Sequence, residues 1–319
     1  MRLFIVVFFV LFSIISCVDK TSSKIDVSKV DVNFTLNRYD VDFYNSNKKT
    51  LPKLKNKYPY LFPKTFRDSI ALAKINDKEE QELFKASQKI YNNVDDLKDQ
   101  LKSLFKHVKY YNPKFSSPNV VTMLTNIDYD SRVIYADSLL FISLDVYLGK
   151  KHRFYTDYPK YIKENNTKEN IIVEVANTLI SKQITATTNR DFIAKVINEG
   201  KKMYLLDMYL PDVSDKLKIG YTDAKLLWSV ENEENIWKYF MDKKILFSTD
   251  TKLNKRFIEV APFSKFYLGE DNQSPGRIGV WMGWRIVRSF MKHNDVSLQE
   301  LINIKPEDLF KKSKYKPKK

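Results

Sequence analysis

Apolar side chains recur every three or four positions over long parts of this chain, which is the spacing of an α-helix with one buried face. In residues 65–107 Leu97 and Leu101 follow this spacing, and Asp77 stands where a helix N-cap is expected. The pattern predicts helical structure through 65–107, ended by the Asn-Pro-Lys sequence at 112–114.

The period then changes, because β-branched and other strand-forming side chains become dense. They fill three short runs, at 120–125, 132–136 and 139–145. Runs this short, joined by tight turns, predict a three-stranded antiparallel meander. In the turn between the first two runs, Asp128 and Asp130 are interpreted as turn-forming carboxylates rather than as a calcium site.

The pattern is weaker before the first predicted helix. Residues 32–39 alternate weakly and predict an early strand, whereas the lysine-rich residues 47–57 are predicted to form a loop. Residues 58–63, with the sequence YPYLFP, are aromatic and interrupted by prolines, which excludes a regular helix. We expect them to pack irregularly on the surface.

Helical spacing returns in the second half of the chain. In residues 168–183, Ile172, Val175 and Leu179 fall on one helical face. Further helices are predicted at 191–210, 224–240 and 278–292, and after a Ser297 capping box. Between two of them the turn-rich residues 257–277 predict a long loop, and long loops on a rigid scaffold often carry function.

Together these elements predict an α+β fold that is mainly helical, with a small antiparallel sheet followed by the helix at 168–183 and a helical C-terminal half. Only 7 of the 319 residues are glycine, which favours helices over a glycine-rich barrel. Gly279 and Gly283 lie four residues apart in a predicted helix and would let a neighbouring element approach closely. Without an internal repeat or a linker, residues 31–319 are predicted to be a single domain.

The first residues indicate export. A single basic residue, Arg2, precedes the apolar run 3–15, which is too short to cross about 30 Å of hydrocarbon, so 1–16 is predicted to be a signal peptide. The run ends in IISC, which resembles the lipobox of bacterial lipoproteins, and its Cys17 is the only cysteine in the chain. We expect lipidation at Cys17, a polar tether over 17–30, and a place in the cell envelope facing the periplasm or the cell surface.

The formal net charge of +15 limits the classes of partner to be expected. An exported lipoprotein rarely meets nucleic acid, so we expect contact with the membrane and with other proteins instead. Anionic lipid head groups, envelope phosphates and acidic proteins would all complement the charge, and a merely basic surface is the alternative. The lysine-rich residues 311–319 are interpreted as a frayed solubilising end, and the acidic run at 231–234 as a solvated helix face.

The sequence indicates no catalytic residue, metal or cofactor. The three histidines, His107, His152 and His293, are far apart along the chain, and lipidation of Cys17 leaves no free thiol. No nucleophile elbow, phosphate-binding loop or dinucleotide motif is present. The spacing of the 39 acidic residues neither singles out a hydrolytic carboxylate pair nor excludes one.

Blocks along the whole mature chain resemble the gliding-motility lipoprotein GldB family, the most specific being residues 261–284. The others are YLFP near residue 60, LFKHVKYYNPKFSSPNVVT at 104–122, VIYADSLLFISLDVYLGKKHRFY at 133–155, KIGYT at 218–222, ENEENIWKYF at 231–240 and SKYKPK at 313–318. The resemblance implies a cell-envelope lipoprotein required for surface gliding, a machinery linked to type IX secretion.

That family is in turn similar to predicted zinc-dependent proteases, whose helix carries H-E-x-x-H. Here Val173 and Asn177 stand at the two histidine positions and Glu174 at the glutamate position, while Glu199 matches a downstream glutamate that could be a third ligand. The resemblance implies a zincin-like scaffold with a degenerate metal site, since neither valine nor asparagine supplies an imidazole.

We therefore expect a non-catalytic binding protein whose partner contacts a cleft between the 168–183 helix and the 261–277 loop. The candidate partner-binding residues are Asp271, Asn272, Ser274, Pro275, Gly276, Arg277, Trp281 and Trp284. Two alternatives remain open. One is a residual metallohydrolase that uses Glu174 and Glu199, and the other is a binder of anionic envelope glycans or lipids through the lysines.

Overall fold

The structure, a computed structural model, describes residues 25–318, so the predicted signal peptide and Cys17 lie outside it. Its first half contains β1 Leu36–Arg38, α1 Tyr39–Tyr44, α2 Leu51–Lys57, α3 Asp68–Asn76, α4 Lys78–Tyr91, α5 Asp95–Tyr111, β2 Asn119–Met123, β3 Val133–Ala136 and β4 Leu139–Ser143. Its second half contains α6 Lys160–Lys163, α7 Ile171–Ser181, α8 Phe192–Tyr209, α9 Asp215–Ile219, α10 Asp223–Glu231, α11 Glu233–Asp242, α12 Lys252–Phe257, α13 Ile278–His293, α14 Leu298–Asn303 and α15 Pro306–Lys312. The fold is α+β and mainly helical, as predicted.

Short 3₁₀ turns connect several of these elements. They are Pro59–Leu61, Leu144–Tyr147, Arg153–Tyr155, Lys168–Asn170 and Asp271–Gln273. The predicted N-caps of α4 and α14 are confirmed. Asp77 accepts hydrogen bonds from the backbone N–H groups of Glu79 and Glu80 at the start of α4, and Ser297 forms a capping box with Glu300 at the start of α14.

The prediction of an antiparallel meander is wrong. The sheet is mixed, in the order β1-β2-β4-β3, with β2 parallel to both β1 and β4 and only the β3–β4 pair antiparallel. Leu140 and Ile142 of β4 are fully buried, whereas alternate residues of β3 are exposed. The more apolar strand therefore takes the inner position beside β2, and β3 is left at the edge.

Two predictions near the N-terminus are also wrong. The predicted strand at 32–39 is confined to β1, and the predicted lysine-rich loop at 47–57 contains helix α2. The helix forms because Leu51 and Leu54, three residues apart, are buried against the core, with Pro52 in the first turn where no N–H donor is needed. The neighbouring lysines point to solvent and concealed this spacing.

Helices α8 and α13 cross at Gly200 and Gly283, and the end of α12 approaches α13 at Gly279. A Cβ atom on Gly283 would lie 1.9 Å from the Val196 carbonyl oxygen, and one on Gly200 would lie 2.2 Å from the Gly283 oxygen. A Cβ on Gly279 would lie 2.9 Å from the Phe257 oxygen. The predicted close approach at Gly279 and Gly283 is thus confirmed, with backbone packed directly on backbone.

The acidic run at 231–234 is not a solvated face, and the predicted helix at 224–240 is two helices divided at Asn232. Glu233 is fully buried and accepts a hydrogen bond from the Tyr315 hydroxyl at 2.7 Å. The Tyr315 ring also packs edge-on against Trp237 at 5.2 Å. The C-terminal segment is therefore attached to the core as far as Tyr315 rather than frayed from residue 311 onwards.

Among residues 25–318, none of the helices combines the length and the apolar character that a membrane crossing requires.

Candidate functional site

A cavity of about 230 Å³ opens between helix α7 and the loop that precedes α13. Val173, Glu174 and Asn177 of α7 line one side, and Ala261, Gly276 and Arg277 of the loop line the other. Its remaining lining residues are Tyr129, Arg132, Tyr161, Ile162, Asn165, Asn170, Leu217, Lys218, Ile219, Gly220, Tyr221, Lys225 and Val260. The cavity lies where the sequence predicts a cleft, and we call it the α7 cleft.

The carboxylate of Glu174 is already engaged on the cleft wall. The Tyr147 hydroxyl donates to its Oε2 at 2.8 Å, and Arg132 Nε forms an ion pair with the same oxygen at 2.9 Å. The Arg132 guanidinium lies between the rings of Tyr129 and Tyr147, at 5.0 and 4.9 Å from their centroids. Burial raises the pKa of Glu174, and the arginine and the tyrosine hydroxyl offset part of that rise.

The four positions compared with a metal site do not converge. Val173 is buried and Asn177 lines the cleft beside Glu174, but Glu199 on α8 is not among the lining residues. Its carboxylate pairs instead with Lys202, at 2.6 Å on the same helix. Within residues 25–318, no three His, Cys, Asp or Glu side chains lie close enough together to hold a metal ion.

Two cations line the cleft without a carboxylate partner among residues 25–318. Arg277 donates from Nη1 to the Ile219 carbonyl oxygen at 3.3 Å, and Lys225 donates from Nζ to the Pro262 oxygen at 3.4 Å. Burial lowers the pKa of Lys225, because desolvation disfavours its charged form. Both cations therefore have unused capacity to bind an anion.

The backbone that presents Arg277 is held by hydrogen bonds and close packing. Arg277 itself has a left-handed φ of 61°, which costs energy for a residue with a side chain. The Tyr221 hydroxyl donates to the Gly276 oxygen and the Ser264 hydroxyl to the Pro275 oxygen, each at 2.7 Å. A Cβ on Gly276 would lie 2.1 Å from the Ala261 oxygen, so only glycine fits there.

Several of the predicted partner-binding residues are not available at the surface. Trp281 and Trp284 are 2% and 1% exposed, so their assignment to a partner surface is wrong. Both lie on α13 where it packs closely into the core, and Trp284 Nε1 donates to Asp207. Ser274 and Pro275 are buried as well, which leaves Gly276 and Arg277 as the members of that set that line the cleft.

The remaining two predicted residues, Asp271 and Asn272, belong to a turn outside the cleft. Asp271 accepts hydrogen bonds from the backbone N–H groups of Tyr267 and Leu268, at 2.8 and 3.1 Å. Asn272 is exposed and does not line the cavity. The side chain of Asp271 thus stabilises the loop rather than binding in the cleft.

The sequence interpretation missed Arg132 and Lys225. Arg132 is only 9% exposed, although it lies next to strand β3 in a segment that looks like an ordinary exposed edge. A charged residue between a turn and a strand gives no signal of its carboxylate partner, since Glu174 lies on a helix much later in the chain. Lys225 is one of many lysines, and its neighbours give it no distinctive spacing.

Asp145 does not line the cleft, but it holds the turn that leads to Tyr129 and Arg132 and provides a pH-dependent test. It is fully buried and accepts hydrogen bonds from the backbone N–H groups of Thr125 and Ile127, close to Tyr129 and Arg132 in the chain. Burial raises the pKa of Asp145 to about 6, although those N–H groups oppose the rise.

Because the folded-state pKa of Asp145 is raised, its contribution to stability is greatest below pH 4 and is lost as the pH rises through 6. We expect the unfolding free energy of the wild type, relative to Asp145→Asn, to fall by about 3 kcal/mol between pH 3.5 and 7. Denaturant titrations of both proteins across this range measure the difference. A difference that is constant with pH would contradict the raised pKa of Asp145.

Comparison with known proteins gives one result. A family model described as gliding motility protein GldB matches residues 20–317, which is nearly the whole chain. Neither the curated proteins nor the solved structures include a match.

Proposed function

Since the chain belongs to the family of the gliding motility protein GldB, we propose that it serves gliding as a non-catalytic binding protein of the cell envelope. Its α7 cleft binds a segment of another protein of the gliding machinery or of the associated type IX secretion system. Lipidation at Cys17 holds the domain at a membrane, on the periplasmic or the outer face.

The charge arrangement of the cleft is the observation that carries the proposal. The carboxylate of Glu174 is neutralised by Arg132. Among the residues that the structure describes, Arg277 and Lys225 bond only to backbone carbonyl oxygens. Cations without a charged partner in a concave site are suited to holding an anionic group.

The residual metallohydrolase has less support. Such an enzyme needs at least three protein ligands around a metal that activates water. In this chain Val173 supplies none, and Glu199 is paired with Lys202 away from the cleft. Stoichiometric zinc in the purified protein, measured by elemental analysis, would overturn the non-catalytic part of the proposal.

Site-directed photocrosslinking in gliding cells tests the binding role. Val260 is 58% exposed and lines the cleft, so a photoreactive residue placed there lies beside any bound partner. Ile70 on α3 is 41% exposed and does not line the cleft, which makes it the control position. We expect one protein to be captured from 260 and not from 70, and we expect Arg277→Ala to abolish that capture together with gliding.

The proposal fails under either of two results. One is that positions 260 and 70 give the same crosslinks. The other is that cells carrying both Arg277→Ala and Lys225→Ala glide normally with the protein present at wild-type levels.

A further inference from the structure

The α7 cleft has a marked excess of positive charge. Four of its lining side chains are cations, Arg132, Lys218, Lys225 and Arg277, and one, Glu174, is a carboxylate. A low-dielectric wall around such a set strengthens its attraction for an anion compared with an open surface.

Two of the four cations are already neutralised. Arg132 pairs with Glu174, and Lys218 pairs with the Asp207 carboxylate at 3.0 Å, where the lysine side chain is only 5% exposed. The excess that remains for a ligand is thus the charge of Arg277 and Lys225.

Within the described part of the chain, residues 25–318, no carboxylate forms an ion pair with Arg277 or Lys225. Glu164 attracts Lys225 without forming an ion pair with it, and Lys160 opposes this attraction. The Glu164 carboxylate pairs instead with Lys150 at 2.6 Å. Lys225 has lost part of its hydration, as its lowered pKa indicates. A ligand anion would recover for Lys225 the interaction that water no longer supplies.

The size and lining of the cleft restrict the anion. At about 230 Å³ it is smaller than the usual range for small-molecule and cofactor sites, roughly 300–1,000 Å³. One or two side chains of a peptide would fill it. Its walls include apolar and aromatic groups, among them Ile162, Leu217, Tyr161 and Val260, which a bare phosphate would leave uncovered.

We propose that the α7 cleft recognises an acidic peptide segment of the partner, with a Glu or Asp carboxylate between Arg277 and Lys225 and an adjacent apolar side chain against Ile162 and Val260. The planar guanidinium of Arg277 presents paired N–H donors that match the two oxygens of a carboxylate. This inference rests on the proposed function and adds the chemistry of the bound segment.

Binding measurements with the purified full-length protein, reconstituted in nanodiscs of uncharged lipid, test the inference. The probes are a Leu-Glu-Leu peptide blocked at both ends, the same peptide with Gln in place of Glu, inorganic phosphate, and vesicles containing anionic lipid. We expect the Glu peptide to bind in calorimetry or NMR at least tenfold more tightly than the Gln peptide, and phosphate and vesicles not to compete at concentrations that saturate the peptide.

Variants that are expected to change the affinity for the Glu peptide in opposite directions make the test specific. Arg277→Gln is expected to weaken binding of the Glu peptide by about tenfold or more, and Lys225→Gln by severalfold, since each removes one attractive charge. Glu174→Gln is expected to tighten it severalfold, because Arg132 then adds its charge to the cleft. Arg153→Gln removes a surface cation paired with Glu82, is the matched control, and should change nothing.

Each contrary result has a definite meaning. Equal binding of the Glu and Gln peptides, or an affinity unaffected by Arg277→Gln and Lys225→Gln, overturns the inference. Competition by phosphate alone would identify a free anion, and Arg277-dependent vesicle binding would identify a lipid head group. If crosslinking from position 260 captures a specific protein through a neutral or basic segment, the proposed function stands and only the acidic segment is excluded.

Discussion

Replacing Gly283 with alanine is expected to destabilise the protein by roughly 3 kcal/mol, the upper end of the usual cost of overpacking, because two helix backbones occupy the space that the added methyl group needs. The new Cβ would lie 1.9 Å from the Val196 carbonyl oxygen and 2.8 Å from its carbonyl carbon. Neither atom belongs to a flexible side chain, so α8 and α13 would have to separate. Separation would loosen the contact between Gly200 and Gly283 as well.

Equilibrium denaturation of the purified protein measures this effect, which should appear as a fall of about 10 °C in Tm or as failure to accumulate in soluble form. Gly269→Ala is the matched control, because a Cβ at Gly269 meets no atom within 4 Å. We expect that variant to stay within about 0.5 kcal/mol of the wild type. Equal stability of the two variants would show that the helices can separate at little cost.

Asp207→Ala is expected to have a similar effect, about 3–5 kcal/mol, for an electrostatic reason. Asp207 accepts hydrogen bonds from Arg288 at 2.7 and 2.8 Å, from Trp284 Nε1 at 2.8 Å and from Lys218 at 3.0 Å. Arg288 would keep Asp215 as a partner, but Lys218 and the indole N–H would lose their only described acceptor while still buried.

The comparison for this variant is Glu199→Ala on the same helix. Glu199 pairs with Lys202 three residues later, and both side chains are about a quarter exposed, so we expect a loss below about 1 kcal/mol. Denaturant titrations of the two variants under one set of conditions give the difference. A loss below 1 kcal/mol for Asp207→Ala would mean that the unpaired Lys218 rearranges toward water.

Local signals in the sequence are sufficient for the longer helices of the second half, α7, α8 and α13. The spacing of Ile172, Val175 and Leu179 identified α7, and all three are buried. The sheet order was not accessible in this way, because strand pairing depends on which strand has the more apolar face after the chain has folded back. Leu51 and Leu54 stand between lysines in the sequence, and the high lysine content of residues 47–57 favours a loop over the helix that forms.

The position of the cleft could be predicted, but its chemistry could not. A mid-chain helix and a long turn-rich loop indicate where a cleft forms, and the loop includes Arg277. Ion pairs such as Arg132 with Glu174 join residues far apart in sequence, so nothing local reveals that the carboxylate is neutralised. Trp281 and Trp284 are buried, and their burial depends on how closely α8 packs against α13, which the sequence does not reveal.

The parallel pairing of β1 has a consequence for the order in which the chain can fold. Thr35 N–H donates to the side chain of Asn119, 84 residues later, at the start of the β1–β2 ladder. During synthesis from the N-terminus, β1 therefore has no strand to pair with until α1–α5 and β2 have been made. Closing a loop of that length costs about 4 kcal/mol of chain entropy. The hydrogen bonds of helices α4 and α5 are local, so these helices can form before β1 pairs with β2.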